Sequence, residues 1–157
     1  MTPAIKLIKQ NRIAHTVHEY SHAVAAESYG AEAAEKLAVP HARVFKTLVV
    51  ELDHRELVVA VVPVSGMLSM KLLARAAGAK KAVMAAPADV ERSTGYVLGG
   101  VSPLGQKKRL RTYLDVSASE FPTIYVSAGR RGLEIELSAQ ELLRLLGGVA
   151  VKLVCTE

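Results

Sequence analysis

The chain has 157 residues, half of them hydrophobic, which is typical of one domain with a substantial buried core. Its 20 lysines and arginines exceed its 15 aspartates and glutamates, and the net charge of +5 suits contact with an anionic partner over a small area. Two phenylalanines, five tyrosines and no tryptophan leave few aromatic platforms for stacking on single-stranded nucleic acid, and the apolar runs are too short to span a membrane.

The beginning of the chain is predicted to be mainly helical. Thr2-Pro3 fits an N-cap followed by a first helical residue, and it predicts a helix that ends near Asn11. A short extended segment is predicted over residues 14–20. An alanine-rich helix over residues 31–38 then follows, and Pro40 stops it.

Two apolar, β-branched runs over residues 44–52 and 56–64 predict the centre of a sheet. The three residues between them suit a hairpin turn, and apolar side chains at nearly every position indicate burial on both faces. Two helices and a short strand come next: a helix over 69–77 that ends at Gly78, a strand over 81–84, and a helix from Pro87 to about Gly95.

The remaining chain predicts further strands and one well-marked helix. Ser138 and Glu141 form a capping box at the start of that helix, and Gly147 marks its end. Hairpins with interspersed helices indicate the α+β class, with a mixed, largely antiparallel sheet and flanking helices. The strands are predicted at residues 96–98, 110–116, 123–127, 133–137 and 149–154.

The segment GYVLGGVSPLGQKKRLR, residues 95–111, is the most informative part of the chain. Its paired glycines leave backbone N–H groups open to a ligand, and Pro103 stiffens the loop. A basic cluster follows at once, so the segment suits a site that holds a carbonyl or phosphate oxygen at the end of a polyanion. A tight turn between strands and a solvated basic face explain the same residues.

Two better-known glycine motifs are excluded in this segment. Gly100 and Gly105 have the spacing of a P-loop, but Gln106 stands where that motif needs lysine. Leu104 stands where the nucleophile elbow needs its closing glycine. No Ser/His or Cys/His pair is recognisable elsewhere, so the sequence predicts no protein nucleophile.

Lys46 interrupts the apolar run of the first central strand. An unpaired ammonium is costly to bury, so a lysine at this position predicts an opening to a cavity or contact with an anion. Alternatively, Lys46 lies at the frayed start of the strand and reaches solvent along its own stem. Thr47 is expected on the opposite face of a regular strand.

No metal and no cofactor are expected. His15, His18 and His22 lie close together in sequence, but they lack an acidic or cysteine partner at ligand spacing and are interpreted as surface residues. Cys155 is the single cysteine, so it forms no internal disulfide and nucleates no metal site. With no secretory signal pattern at the N-terminus, we expect one domain over residues 1–157 in the reducing cytoplasm.

Three segments together resemble the YbaK/EbsC family: VFKTLVV, which contains Lys46, then STGYVLGGVSPLGQKKRL, and IYVSAGRRGLEIEL. The resemblance covers nearly the whole chain. Members of this family are free-standing aminoacyl-tRNA deacylases, related to the editing domain inserted in bacterial prolyl-tRNA synthetases. The resemblance implies a small domain on a mixed, partly barrel-like sheet. Within the family the chain is most similar to the YbaK branch, whose members remove cysteine mischarged onto proline tRNA.

The resemblance also implies site residues. The family's editing lysine falls on Lys46, and its Gly-x-x-x-Pro loop falls on Gly99, Gly100, Val101, Ser102 and Pro103. The implied substrate-binding positions are Tyr20, Thr47, Ser127, Gly129 and Glu134, of which Glu134 replaces an aspartate that is frequent in close relatives. The residues expected to bind tRNA are Lys107, Lys108, Arg109 and Arg111, with Lys80-Lys81 and Arg130-Arg131 as extensions of that surface.

The implied reaction is trans-editing hydrolysis of a mischarged aminoacyl-tRNA, with Cys-tRNA(Pro) as the expected substrate. Backbone N–H groups of residues 100–102 are expected to polarise the ester carbonyl, at about 3 kcal/mol per donor, and Lys46 to position the terminal phosphate or ribose. Either water or the substrate thiol is the nucleophile. The expected partners are the aminoacylated 3′ end of tRNA and prolyl-tRNA synthetase. No contact with a membrane is expected. A deacylase for another amino acid, such as alanine, and a non-catalytic small-molecule or RNA-binding module are the alternatives.

Overall fold

The computed structural model describes residues 1–21 and 29–155. The helices in these residues are α1 (Pro3–Gln10), α2 (Tyr29–Lys36), α3 (Met70–Ala77), α4 (Pro87–Thr94) and α5 (Ala139–Leu146). The strands are β1 (Thr16–Glu19), β2 (Phe45–Leu52), β3 (Glu56–Pro63), β4 (Ala82–Met84), β5 (Thr112–Asp115), β6 (Ile124–Arg130), β7 (Leu133–Leu137) and β8 (Val149–Val151). Two short 3-10 turns, at His41–Arg43 and Val116–Glu120, were not predicted.

The strands form two sheets. One is antiparallel with the order β1-β7-β6, and the other has the order β4-β2-β3-β5-β8, in which β5 runs parallel to both β3 and β8. A parallel bridge between Val44 and Tyr125 connects them. The predicted α+β class and mixed, largely antiparallel sheet are confirmed. The described strands curve around a shared core without closing, so the arrangement is barrel-like only in part.

The β2–β3 hairpin is the centre of the larger sheet, as its apolar runs predicted. Residues 58–62 are each 0% exposed. The odd-numbered residues among them pack into the core shared with α1, α5 and the smaller sheet, whereas the even-numbered ones pack against α3. Because a fully buried aliphatic side chain contributes about 1.5–3 kcal/mol, burial on both faces holds β3 firmly at the centre of the sheet. The hairpin therefore holds the start of β2 in a defined place.

The helix ends form where the capping residues predicted them. The side-chain oxygens of Thr2, Ser69 and Ser138 accept backbone N–H groups three residues ahead, at the starts of α1, α3 and α5. Gly78 and Gly147 end α3 and α5 with φ of +74° and +60°, a conformation that favours glycine. Among the described residues, no helix has the length and apolar character needed to cross a membrane.

The strand predicted at residues 96–98 is wrong. Tyr96 is buried, and its hydroxyl donates to the carbonyl of Leu104 at 2.7 Å. Val97 and Leu98 are each 59% exposed, in a turn that the Gly100 N–H closes on the Val97 carbonyl at 3.0 Å. The apolar residues 96–98 therefore form a loop that the buried Tyr96 holds in place, and they are not a strand. The last strand is shorter than predicted, since β8 ends at Val151 and the following residues contribute only an isolated bridge.

Candidate functional site

The start of β2 opens onto a cavity of about 310 Å³. β4 pairs with Val50, Glu51 and Leu52, so residues 45–48 of β2 have no strand paired on that side, and all four of these residues line the cavity. The turn at residues 98–101 forms another wall. The polar lining consists of Tyr20, Lys46, Thr47, Ser127 and Glu134, together with Gly99.

Lys46 is half-buried in this cavity, at the second position of β2, where it pairs in register with Val62. It is therefore part of the regular strand. Its ammonium forms no ion pair or hydrogen bond with residues 1–21 or 29–155, and the Glu134 carboxyl in the same cavity is not within ion-pair distance. A cation without a protein partner is available to an anionic or polar ligand.

Thr47 lines the same cavity as Lys46, although successive side chains of a strand alternate. The edge of β2 that has no paired strand at this point explains why consecutive residues both line the cavity. The Thr47 Oγ1 is buried and has no hydrogen-bond partner within the described chain. Since a buried hydroxyl without a partner costs about 1–3 kcal/mol, a ligand that bonded to it would recover that cost.

Glu134 is the buried acid of the site. It lies on β7, is 6% exposed, and accepts no hydrogen bond from the residues that the structure describes. Burial raises the pKa of its carboxyl to about 8. Burial, followed by the nearby Glu134, also raises the pKa of Tyr20 to about 12. Near pH 7 the cavity therefore contains a cationic amine, a largely protonated carboxyl and a phenol that donates hydrogen bonds.

Glu134→Gln is expected to stabilise the protein at pH 8 and to change little at pH 5. The folded-state pKa of about 8 lies above the ordinary value of 4.5, so the folded protein keeps a proton that the unfolded chain releases. Stability therefore falls as pH rises between these two values. Melting temperatures at both pH values measure this effect, and the variant should melt several degrees higher at pH 8 only. An equal difference at both pH values would show that Glu134 ionises normally.

The turn at residues 98–101 is supported from behind. Ser102 is fully buried, its Oγ accepts the Leu104 N–H at 3.1 Å, and its carbonyl accepts Gln106 Nε2 at 2.9 Å. Pro103 is also buried, and it faces a separate depression on the other side of the loop. Within the expected Gly99–Pro103 segment, only Gly99 and Val101 therefore line the cavity.

Gly100 does not offer its N–H to a ligand, contrary to the expectation from the sequence. Its N–H donates to the Val97 carbonyl, so it is not available to a ligand. A Cβ at this position would lie 2.8 Å from the Arg130 Cα, so only glycine fits. The N–H groups of Gly99, Val101 and Ser102 have no partner among the described residues. Because Ser102 is fully buried and does not line the cavity, the backbone donors available to a ligand come from Gly99 and Val101.

The pairing of β6 with β7 is irregular between Ser127 and Arg130, and Gly129 lies within this irregularity. Ser127 lines the cavity, and its Oγ accepts the Gly129 N–H at 3.2 Å. Gly129 has φ of +113°, and a Cβ there would lie 2.7 Å from Cε1 of Tyr96. Gly129 is therefore placed outside the cavity wall, where it lets β6 approach the ring that anchors the loop.

The predicted basic cluster does not form one surface beside the cavity. Arg111 donates to both carboxylate oxygens of Glu56, at 2.7 and 2.8 Å, and to the Tyr113 hydroxyl at 3.0 Å. Arg109 lies against Gly147, at the C-terminal end of α5, which attracts a cation. Lys108 and Arg109 border the depression on the far side of the loop, and Lys107 is exposed. Arg111 is therefore held by Glu56 and Tyr113, and its contact with tRNA stays a prediction.

Two other predicted groups lie away from the cavity. Lys80 and Lys81 donate their backbone N–H groups to Asp53, which follows the far end of β2 from Lys46. His18 pairs with Glu136 at 2.9 Å, and His22 is outside the described residues. No group of three or more metal-ligating side chains occurs in the described parts of the chain.

The sequence reasoning missed the apolar side of the cavity, which is lined by Phe45, Leu48 and Val64. These residues looked like ordinary members of buried strands. Gly30 of α2 was missed too: a Cβ there would lie 2.2 Å from Val64 Cγ1, which the sequence does not indicate. The open edge of β2 was the missing information, because strand pairing is not visible in composition.

Comparison with known proteins places this geometry in context. Residues 24–145 match the family model of an aminoacyl-tRNA editing domain. EbsC of Enterococcus faecalis, named as a candidate Cys-tRNA(Pro)/Cys-tRNA(Cys) deacylase, is 39% identical over 157 residues, which cover 99% of this chain and 94% of EbsC. The uncharacterised protein YwhH of Bacillus subtilis is 32% identical over 111 residues, 71% of this chain and 70% of its own. The crystal structure of a candidate trans-editing enzyme for prolyl-tRNA synthetase shares the fold, with a TM-score of 0.84, 22% identity and 99% coverage of both chains.

Proposed function

The chain belongs to the aminoacyl-tRNA editing domain family and is an aminoacyl-tRNA deacylase, and we propose that it removes cysteine from Cys-tRNA(Pro) in trans. The observation that carries this proposal is that Lys46 and the Gly99–Val101 turn line one cavity. The resemblance to EbsC supports the choice of cysteine. We propose that the chain is a single editing domain and that it acts in the cytoplasm, where tRNA is used. Prolyl-tRNA synthetase is the proposed partner that delivers the mischarged tRNA.

Lys46 acts in this proposal as a clamp. Its ammonium lacks a partner in the described chain and stands in the cavity that the ester must enter. A charged amine binds phosphate or ribose oxygens well and is a poor base, so its contribution is to fix the ester in one place. Positioning of this kind supplies several kcal/mol of a reaction barrier.

The N–H groups of Gly99 and Val101 are the proposed donors to the ester carbonyl. They have no partner among the described residues, and both residues line the cavity. A donor aimed at the developing oxyanion contributes about 3 kcal/mol. Because Tyr96 and Gly100 hold the turn in place from behind, its donors need little reorganisation during the reaction.

The nucleophile is proposed to be the thiol of the substrate cysteine. Its sulfur attacks the ester carbonyl carbon, the bond from that carbon to the ribose oxygen breaks, and the ribose oxygen takes up the proton that the thiol has lost. The product is a four-membered thiolactone, which water opens to free cysteine. Thr47, Tyr20 and Ser127 are proposed to orient the acyl group, and Glu134, protonated near pH 7, donates a hydrogen bond within the cavity.

Cysteinyl-tRNA is expected to be hydrolysed at least about 100-fold faster than seryl-tRNA carried on the same tRNA body. A thiol is a few per cent ionised near pH 7, whereas a hydroxyl is not ionised, so only the former attacks readily. S-methylcysteinyl-tRNA is the matched control, because it keeps the sulfur and loses the nucleophile. Rates of deacylation measure this directly. Comparable rates for all three esters would assign the attack to water.

A panel of aminoacyl-tRNAs tests the function as a whole. Purified protein is expected to deacylate Cys-tRNA(Pro) and to spare correctly charged Pro-tRNA(Pro). Preferred hydrolysis of Ala-tRNA(Pro) would assign another specificity to the same site. An absence of turnover on every ester, with retained RNA binding, would assign the chain to non-catalytic binding.

A further inference from the structure

The mouth of the cavity has two features that the proposed chemistry does not use. Val97 and Leu98 are adjacent, apolar and each more than half exposed. Arg130, at the end of β6, is also exposed, and its guanidinium forms no ion pair within residues 1–21 and 29–155. We call Val97, Leu98 and Arg130 the rim. Exposed neighbouring aliphatic side chains and an unpaired cation beside a cavity indicate a surface that contacts a ligand.

The rim is held rigidly. A Cβ on Gly100 would lie 2.8 Å from the Arg130 Cα, so the backbones of the two segments are in contact. The Gly100 N–H closes the turn on Val97, and the buried Tyr96 anchors the residue before it. Leu98 also lines the cavity. An apolar surface and a cation are therefore presented next to each other, beside the cavity that Leu98 lines.

Arg130 also borders a shallow depression of about 320 Å³ that shares Tyr20 with the cavity. Arg131 borders the same depression, but it is paired with the buried Glu32 at 3.2 Å. Glu19 is the acid at its edge, and Lys9 lies near Arg130 on the other side. Arg130 is therefore the cation of this region best placed to meet an anion outside the cavity.

From this arrangement we propose that the 3′ end of tRNA enters the cavity across the rim. The terminal adenine lies on Val97 and Leu98, and Arg130 binds the adjacent backbone phosphate. A base presents a flat, largely apolar face, which apolar side chains cover as aromatic ones do, and an arginine fork matches a phosphate. This inference rests on the proposed function, and it adds a contact to the one expected through Lys107, Lys108, Arg109 and Arg111.

The test measures binding of a fluorescent RNA hairpin that ends in single-stranded CCA, with a blunt hairpin as the reference RNA. The wild-type protein is expected to prefer the CCA hairpin. Arg130→Ala should weaken that binding about tenfold, and should reduce the slope of log affinity against log salt by about 0.7, the value for one lost phosphate contact. Val97→Ser should weaken it about threefold, as loss of a partly covered valine contact predicts.

Matched variants separate the rim from general effects of charge and hydrophobicity. Arg55→Ala removes the same charge at the β2–β3 turn, and Val149→Ser removes the same apolar side chain from β8. Both are expected to bind like the wild type, and all four variants should keep the wild-type melting temperature within a few degrees. If the rim variants bind CCA as the controls do, or if the wild type does not distinguish CCA from blunt RNA, the proposal is wrong.

The deacylation panel keeps this outcome separate from that of the proposed function. A wild-type protein that hydrolyses Cys-tRNA(Pro) while Arg130→Ala binds RNA normally would overturn the rim and leave the deacylase in place. A wild-type protein without hydrolysis, whose binding of CCA depends on Arg130, would support the rim and overturn the proposed chemistry.

Discussion

Lys46→Ala is expected to lower kcat/KM for deacylation by about 100- to 1000-fold, the range seen when one preorganised electrostatic or positioning contact is lost. The fold should remain, because the side chain is half-buried and forms no ion pair with the described residues. Lys46→Arg keeps the charge but changes its shape and reach, so it should recover only part of the activity. Initial rates and a melting curve for each variant provide the measurement.

Lys71→Ala is the control for Lys46→Ala. It removes an exposed lysine from α3, away from the cavity lining, and it should leave the rate as in the wild type. Wild-type rates for Lys46→Ala would contradict the clamp and leave the loop donors as the main source of catalysis. A strongly reduced melting temperature would show that Lys46 supports the strand, and Lys46→Met, which keeps the length of the side chain, would then decide between the two roles.

Gly100→Ala is expected to reduce activity about 100-fold and to lower the melting temperature by several degrees. The added Cβ would lie 2.8 Å from the Arg130 Cα, which is backbone and cannot rotate away. The turn must therefore shift, and displacement of catalytic groups by about 1 Å costs about that much rate. Overpacking of this kind destabilises by about 1–3 kcal/mol, which thermal unfolding detects.

Gly78→Ala separates lost stability from lost activity in that experiment. A Cβ at Gly78 contacts nothing within 4 Å, but φ of +74° is unfavourable for alanine, so about 1 kcal/mol of stability should be lost. Because Gly78 ends α3, away from the cavity lining, its activity at 25 °C should match the wild type. If both glycine variants lose activity in proportion to stability, the turn at Gly100 has no special role.

The sequence predicted the elements well where local chemistry decides them. Caps at Thr2, Ser69 and Ser138 and apolar runs on both sides of a short turn gave helices and a central hairpin that the structure confirms. The prediction of a strand at residues 96–98 was wrong because its three apolar side chains have different environments. Tyr96 is anchored by Leu104, while the next two residues remain exposed.

The site was predictable only in part. The resemblance identified Lys46 and the glycine loop, and both lie at one cavity. The resemblance did not show that the Gly100 N–H donates to the Val97 carbonyl, or that Gly129 faces Tyr96. Both contacts depend on the folded structure and leave no pattern in the sequence. Arg111 looked like part of a basic cluster, and its partner Glu56 is 55 positions away in the chain.

The position of β5 between β3 and β8 has a consequence for how the protein folds. β5 pairs in parallel with both, and the buried Asp115 at its end accepts the N–H groups of Leu153 and Val154, at 2.7 and 3.2 Å. The β2–β3 hairpin, which lies earlier in the chain, therefore stays without the parallel strands β5 and β8 until segments about 50 or more residues further along have joined the sheet. Pairing of strands so distant in sequence slows folding, so this domain is expected to fold more slowly than a helical domain of similar size.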